Sequence, residues 1–253
     1  MPPLQRFGAV TLAVSMSNLV QAVAARFDAY SRTAQLTPGL LLFLGPAAIA
    51  IGAGAPEWPV ATTMIAAGAA MGLPVVLAEW VRRRGQRLQN ELWAAWGGNP
   101  TVAALREEGL IAGQRRDALA AATGLPVDDP HHPQFEAAAT NAVRRLISVT
   151  RPPAPYPLVF IENKAYGFAR NLLAIRPDGV AVSSLALVGG IALAVISVKV
   201  EVLSTGSTVL GASAAAATTG FWLLYPSEMR VRAAAHDYRE RLLEALDAGA
   251  LSS

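Results

Sequence analysis

Hydrophobic and polar positions divide the 253-residue chain into long uncharged runs around one polar block. Leu36–Ala55 carries no charge over about 20 residues, enough for a helix to cross roughly 30 Å of hydrocarbon. Pro38 suits its first turn and Pro46 is expected to kink its middle. A short turn at Pro56-Glu57 leads to a second apolar run, Val60–Ala78, bracketed by Trp58 and Trp80. Their separation of about 33 Å along a helix matches two interfacial aromatic belts. Val180–Val198 and Gly206–Tyr225 form a third and a fourth run, separated by a charged turn at Lys199 and Glu201. The pattern predicts an all-α integral membrane protein with four transmembrane helices in two hairpins and a helical domain between spans two and three.

The remaining segments read as helices with one apolar face. Residues 1–35 place Leu12, Met16, Leu19, Val20, Val23, Phe27 and Tyr30 at helical spacing, which predicts an amphipathic helix on the membrane surface. A signal peptide is the rival reading, since Ala22-Val23-Ala24 resembles a cleavage site. In the polar block, residues 81–179, the second span continues as a rod through Trp96 and stops at Gly97-Gly98. Short helices follow from Asn99-Pro100-Thr101 to about Glu107, from about Ala112 to Thr123, and from Pro133 to Thr150. Arg151 to Pro157 contains four prolines and reads as a stiff extended connector. The helix after it is expected to bury Leu158, Ile161, Ala165, Phe168, Leu172 and Ile175. A last helix, within residues 226–253, stops at Gly249.

Charge sets the orientation. Of 21 basic residues, three lie in 1–35, thirteen in 81–179 and four in 226–253, leaving only Lys199 for the hairpin turns. The positive-inside rule therefore places both termini and the polar block in the cytoplasm, beneath a bacterial inner membrane. Only 15% of the residues are charged, which is low for a soluble protein. The absence of cysteine excludes a disulfide framework, thiolate metal sites and a cysteine nucleophile.

Several groupings are candidates for chemistry. Glu162, Tyr166 and Arg170 recur every four residues, with Asn163, Gly167 and Asn171 alongside, and so share one helix face. That row either binds a ligand or partner, or forms a hydrogen-bonded seam in which Arg83 or Arg87 pairs with Glu162. Arg82, Arg83, Arg84 and Arg87 either attract anionic lipid or join Arg115, Arg116, Arg144 and Arg145 in holding a phosphate-rich ligand such as a nucleotide. Asp128, Asp129, His131 and His132 share a loop stretched by Pro130 and Pro133, which suits a solvated loop and helix cap better than a metal site. No catalytic motif, cofactor motif or metal site is recognised, and an enzyme is not expected. Within the spans, Ser207, Gly211 and Thr218 share a face that either packs against a neighbouring helix or lines a pore between subunits.

This layout, with Trp96-Gly97-Gly98-Asn99-Pro100-Thr101 and Glu162-Asn163-Lys164-Ala165-Tyr166-Gly167-Phe168-Ala169-Arg170-Asn171 in its cytoplasmic block, resembles the four-span membrane effectors of bacterial nucleotidyltransferase anti-phage systems, including Hailong-like ones. The resemblance implies a homo-oligomeric ion-conducting pore gated through the cytoplasmic domain by a nucleotide-derived signal, with a nucleotide, an oligonucleotide or a nucleotidyltransferase as partner. The alternative is a non-conducting membrane scaffold that recruits a cytoplasmic protein through the Glu162, Tyr166 and Arg170 row.

Overall fold

The computed structural model describes residues 27–54, 72–199 and 204–251, and all regular structure among them is helical. In chain order the helices are α1 (Ala29–Leu41), α2 (Leu44–Gly52), α3 (Leu73–Ala95), α4 (Pro100–Arg106), α5 (Leu110–Thr123), α6 (Phe135–Thr150), α7 (Pro157–Ala174), α8 (Arg176–Ser197), α9 (Thr205–Leu224) and α10 (Glu228–Asp247). Contacts divide the chain into an apolar unit, residues 1–84 and 171–226, and a polar unit, residues 85–170 and 227–253.

In the apolar unit, α8 and α9 are each long and apolar enough to cross a membrane, and α1 with α2 makes a third span if the bent pair is counted as one. The expected second span, Val60–Ala78, lies largely outside the described residues, as do Trp58 and residues 1–26; only its end is seen, as the start of α3. Among the described residues two spans are seen, or three with the bent pair.

The first span departs from the expected one at its start and at its bend. Asp28 caps α1, its carboxylate accepting from the Ser31 N–H at 2.6 Å, so Tyr30 belongs to the spanning rod and not to a separate surface helix. Helices α1 and α2 meet at 52°, at Leu42-Phe43. This is where Pro46 acts: its ring collides with the carbonyl four residues back, at Leu42, so the break falls one turn before the proline.

Glycine lets α2, α8 and α9 approach closely. A Cβ on Gly211 would lie 2.8 Å from the Ala48 carbonyl oxygen, and one on Gly52 would lie 2.6 Å from that of Ser207. Gly179 accepts the Trp222 indole so tightly that a Cβ would fall 2.1 Å from the ring. Hydroxyls are satisfied within the unit: Ser197 and Thr208 meet at 3.0 Å, and Ser183 donates to the Gly179 carbonyl at 2.7 Å. Outward faces stay apolar, with Leu185 74% and Leu210 72% exposed, the surface a hydrocarbon solvent requires.

The polar unit has its own core. Val102 and Leu105 of α4, Leu119 of α5, Phe135, Val143 and Leu146 of α6, and Leu242, Leu243 and Leu246 of α10 are all buried together. The C-terminal helix, set apart by the sequence as a segment of its own, thus completes this core. Gly97 (φ +82°) and Gly98 (φ +127°) end the rod α3 in a conformation that a side chain resists, and Asn99 then caps α4 by accepting from the Thr101 N–H at 2.9 Å. Gly124, at φ +70°, ends α5 in the same way. Residues 151–156 form bends and turns around a cis Ala154–Pro155 bond, not the extended connector expected.

Helix α7 turns an unexpected side inward. Leu158 and Ile161 are exposed, Ala165 is exposed, and only Leu172 and Ile175 of the predicted stripe are fully buried. In the polar unit the inward face is instead Val159, Asn163, Tyr166 and Arg170, where Val159 joins the core and Tyr166 stacks on Tyr238 of α10 with ring centroids 6.2 Å apart.

Candidate functional site

The inward face of α7 closes one wall of a cavity of about 170 Å³ in the polar unit. Five helices build it. Helix α3 presents Gln89 and Trp93, one turn apart; α7 presents Asn163, Tyr166 and Arg170; α10 presents Ala235 and Tyr238; α6 presents Ile147. The start of α4 delivers Pro100 and Thr101, together with its cap Asn99. Both stretches that carried the resemblance thus contribute to one cavity.

The chemistry of the lining is hydrogen bonding and stacking. Arg170, only 8% exposed, donates to the Gln89 side-chain oxygen, and its guanidinium lies 5.6 Å from the Tyr166 ring centre. Tyr166 and Tyr238 are nearly coplanar, at 8°. The indole N–H of Trp93 is buried and meets no acceptor among the described residues. A buried donor without an acceptor carries a free-energy cost of about 1–3 kcal/mol, which a bound acceptor removes. Among the described residues, the lining supplies amide, hydroxyl, guanidinium and indole groups for hydrogen bonding and three aromatic rings.

The other candidate residues are dispersed. Arg241 donates to Glu244 at 2.7 Å, which raises its guanidinium pKa above the usual value, and the partly exposed Glu162 adds a smaller electrostatic contribution in the same direction. Asn171 belongs to the apolar unit, fully buried, and donates to the Ala34 carbonyl oxygen. Arg83 donates to Glu79, four residues back on its own helix, at 2.7 Å. Arg87 is exposed on α3, and Arg144 and Arg145 are exposed on α6, where Arg144 donates to Asn141.

The wider basic cluster is also committed to structure. Arg84 pairs with Asp178 at 2.6 Å and Arg82 with Glu79 at 2.7 Å. Arg115 holds Asp247 at 2.7 Å, and that hydrogen bond raises its pKa further. Arg116, 9% exposed, donates to the carbonyl oxygens of Leu105, Glu107 and Asp128, serving as a cap for the end of α4. In the Asp128–His132 loop, Asp129 accepts from the His131 N–H at 2.9 Å and His132 Nδ1 from the Gln134 N–H at 3.1 Å, so both side chains shape the entry to α6.

Among the pore-lining candidates, Ser207 donates to the Gly52 carbonyl at 2.9 Å and Gly211 lies against Ala48, both in the packing of α9 on α2. Thr218 donates to the Ala214 carbonyl of its own helix at 2.8 Å. Tyr238, Gln89 and Trp93 escaped sequence reasoning because they lie far from α7 in the chain and in ordinary helical positions.

No known protein family, curated protein or solved structure matches this chain. Fold and site together define a class: a helical protein whose apolar helices are suited to a membrane and whose polar unit holds a cavity lined by amide, guanidinium and aromatic side chains.

Proposed function

We propose that this chain is a homo-oligomeric effector of a bacterial inner membrane, with both termini cytoplasmic, whose spans assemble into an ion-conducting pore controlled from the polar unit. One observation carries the reading. The helices that line the recognition cavity, α3 and α7, each continue without a break into residues of the apolar unit. Occupancy of the cavity by a small hydrogen-bonding ligand, such as part of a nucleotide-derived signal, therefore acts on helices that continue into the apolar unit. The basic asymmetry of the sequence supports the orientation. Exposed apolar faces on α8 and α9 supply surface for lipid and for neighbouring subunits. The resemblance of its sequence layout to that of nucleotidyltransferase-associated effectors supports a role in anti-phage defence.

The scaffold reading is weaker because Tyr166 and Arg170 are 6% and 8% exposed, and a docking protein cannot reach them as a row. Planar-bilayer recording of the purified full-length protein tests the proposal. Discrete current steps are expected, with an open probability that changes in Arg170→Ala. Silence of the wild type, of Arg170→Ala and of truncated forms, with and without added nucleotides, would overturn it.

A further inference from the structure

Most guanidinium groups of the polar unit are committed to a neighbour. Arg106 pairs with Glu136, Arg115 with Asp247, Arg239 with Glu240 and Arg241 with Glu244. Arg116 caps α4, and Arg232 lies over the Trp96 ring, 5.5 Å from its centre. Arg144, Arg145 and Arg151 differ. All three are exposed, and none forms an ion pair among the described residues; Arg144 donates to the Asn141 side-chain oxygen at 3.1 Å. Arg144, Ser148 and Arg151 follow one another at four and three residues, and Arg151 caps α6 with helical dihedrals, so the three share its outward face with Arg145 beside them. From Ala137 to Ile161 the chain contains no acidic residue. Three positive charges therefore share one patch with no carboxylate against them.

Neither topology nor helix capping accounts for this patch. Arg151 precedes α8 by 25 residues (151 to 176), beyond the about 15–20 over which basic residues orient a span. Helix α6 has no basic residue in its last turn, where a cation complements the helix dipole. The turns flanking the connector add apolar surface: Val149 at the end of α6, and Leu158 and Ile161 at the start of α7, are exposed. Leu146 and Val159, near them in sequence, enter one core, so both helix ends belong to the same part of the polar unit. Guanidinium groups beside exposed aliphatic side chains match a bilayer surface, where phosphates take the charge and the aliphatic groups enter beneath the headgroups. A single strand of nucleic acid is held instead by aromatic platforms, and no Phe, Tyr or Trp lies between Phe135 and Tyr156.

We propose that this patch docks the polar unit on an anionic lipid surface, through the phosphates of its headgroups. The docking rests on residence in a membrane and is independent of conduction. Each guanidinium attracts such a surface only weakly, by a factor of about five, and the apolar helices of the same chain raise the effective concentration of the patch at the bilayer. Because the chain has no cysteine, Ser148→Cys accepts a single fluorophore in the middle of the patch. The labelled full-length protein is reconstituted into vesicles of phosphatidylcholine, alone or with an equal part of phosphatidylglycerol, each carrying a spin-labelled lipid as quencher. Flotation with the vesicles reports membrane residence separately. Strong quenching is expected only with phosphatidylglycerol, and about 0.5 M salt should abolish it. In the labelled protein, Arg144→Gln, Arg145→Gln and Arg151→Gln should each lower the ratio of docked to undocked protein about fivefold, with Arg144→Lys close to the parent. Arg232→Gln, which removes the same charge from α10, should leave quenching unchanged. Equal quenching in both lipid mixtures, or an equal loss in Arg232→Gln, overturns the docking while leaving membrane residence intact. Protection of the label by double-stranded DNA, with no response to phosphatidylglycerol, assigns the patch to nucleic acid and also overturns it. A protein that does not float overturns residence and docking together.

Discussion

The side-chain amide of Asn171 donates to the backbone carbonyl oxygen of Ala34 at 2.5 Å, across 137 residues of chain. The reason lies four residues after Ala34, at Pro38, which has no N–H to return to that carbonyl. The helix absorbs the proline with a π-turn over Arg32–Leu36, closed by the Thr37 N–H on the Arg32 carbonyl, and Asn171 supplies a donor from a buried position. Asn171→Ala should cost about 1–3 kcal/mol by leaving a buried acceptor unsatisfied. In a Pro38→Ala background, where the local N–H is restored, the same change should cost less. Denaturation of the four proteins in detergent checks this, and equal penalties in both backgrounds would falsify the pairing.

Gly179 and Gly220 predict opposite responses to one added methyl. At Gly179 the Cβ would fall inside the Trp222 indole, whereas at Gly220 nothing lies within 4 Å. Gly179→Ala should lose about 3 kcal/mol or fail to fold, Gly220→Ala should be near neutral, and Trp222→Leu should partly rescue the first. Melting temperatures of the purified variants decide the matter.

The hydroxyls of Ser197 and Thr208, each at most 5% exposed, bond to each other between α8 and α9. Such pairs in membrane helices contribute about 0.6 kcal/mol on average, and at most about 1.7. A double-mutant cycle with Ser197→Ala and Thr208→Val should return a coupling energy in that range, and a value near zero would show that the two act separately.

Two substitutions in α10 should differ greatly in effect. Leu242→Ala removes a fully buried side chain from the polar unit's core and should cost about 2–5 kcal/mol. Asp247→Asn breaks the ion pair with Arg115, in which Asp247 is 45% exposed, and should cost only about 0.2–1 kcal/mol. Urea titration of the full chain in detergent measures both, and added salt should shrink the Asp247 effect alone.

Much of this fold was legible in the chain because its signals are local. Uncharged runs marked α8 and α9 to within a few residues, and Gly97, Gly124 and Gly249 marked the ends of α3, α5 and α10. Each needs only its own neighbours: lipid demands an uncharged helix, and a left-handed terminus demands glycine. The inward face of α7 was misread because the more apolar face is not the one that meets other helices of the polar unit. Leu158 and Ile161 favoured one face by composition, but Tyr238 and Gln89 lay opposite the other.

The sequence by itself determined the helical class, the apolar segments and the glycine and asparagine punctuation between helices. Only the tertiary structure decided that α10 completes the core of the polar unit, that Trp96 meets Arg232, and that Asn171 serves the helix around Pro38 while Arg170 serves a cavity. Helical period places a side chain on a face; which face is buried depends on what distant segments bring against it.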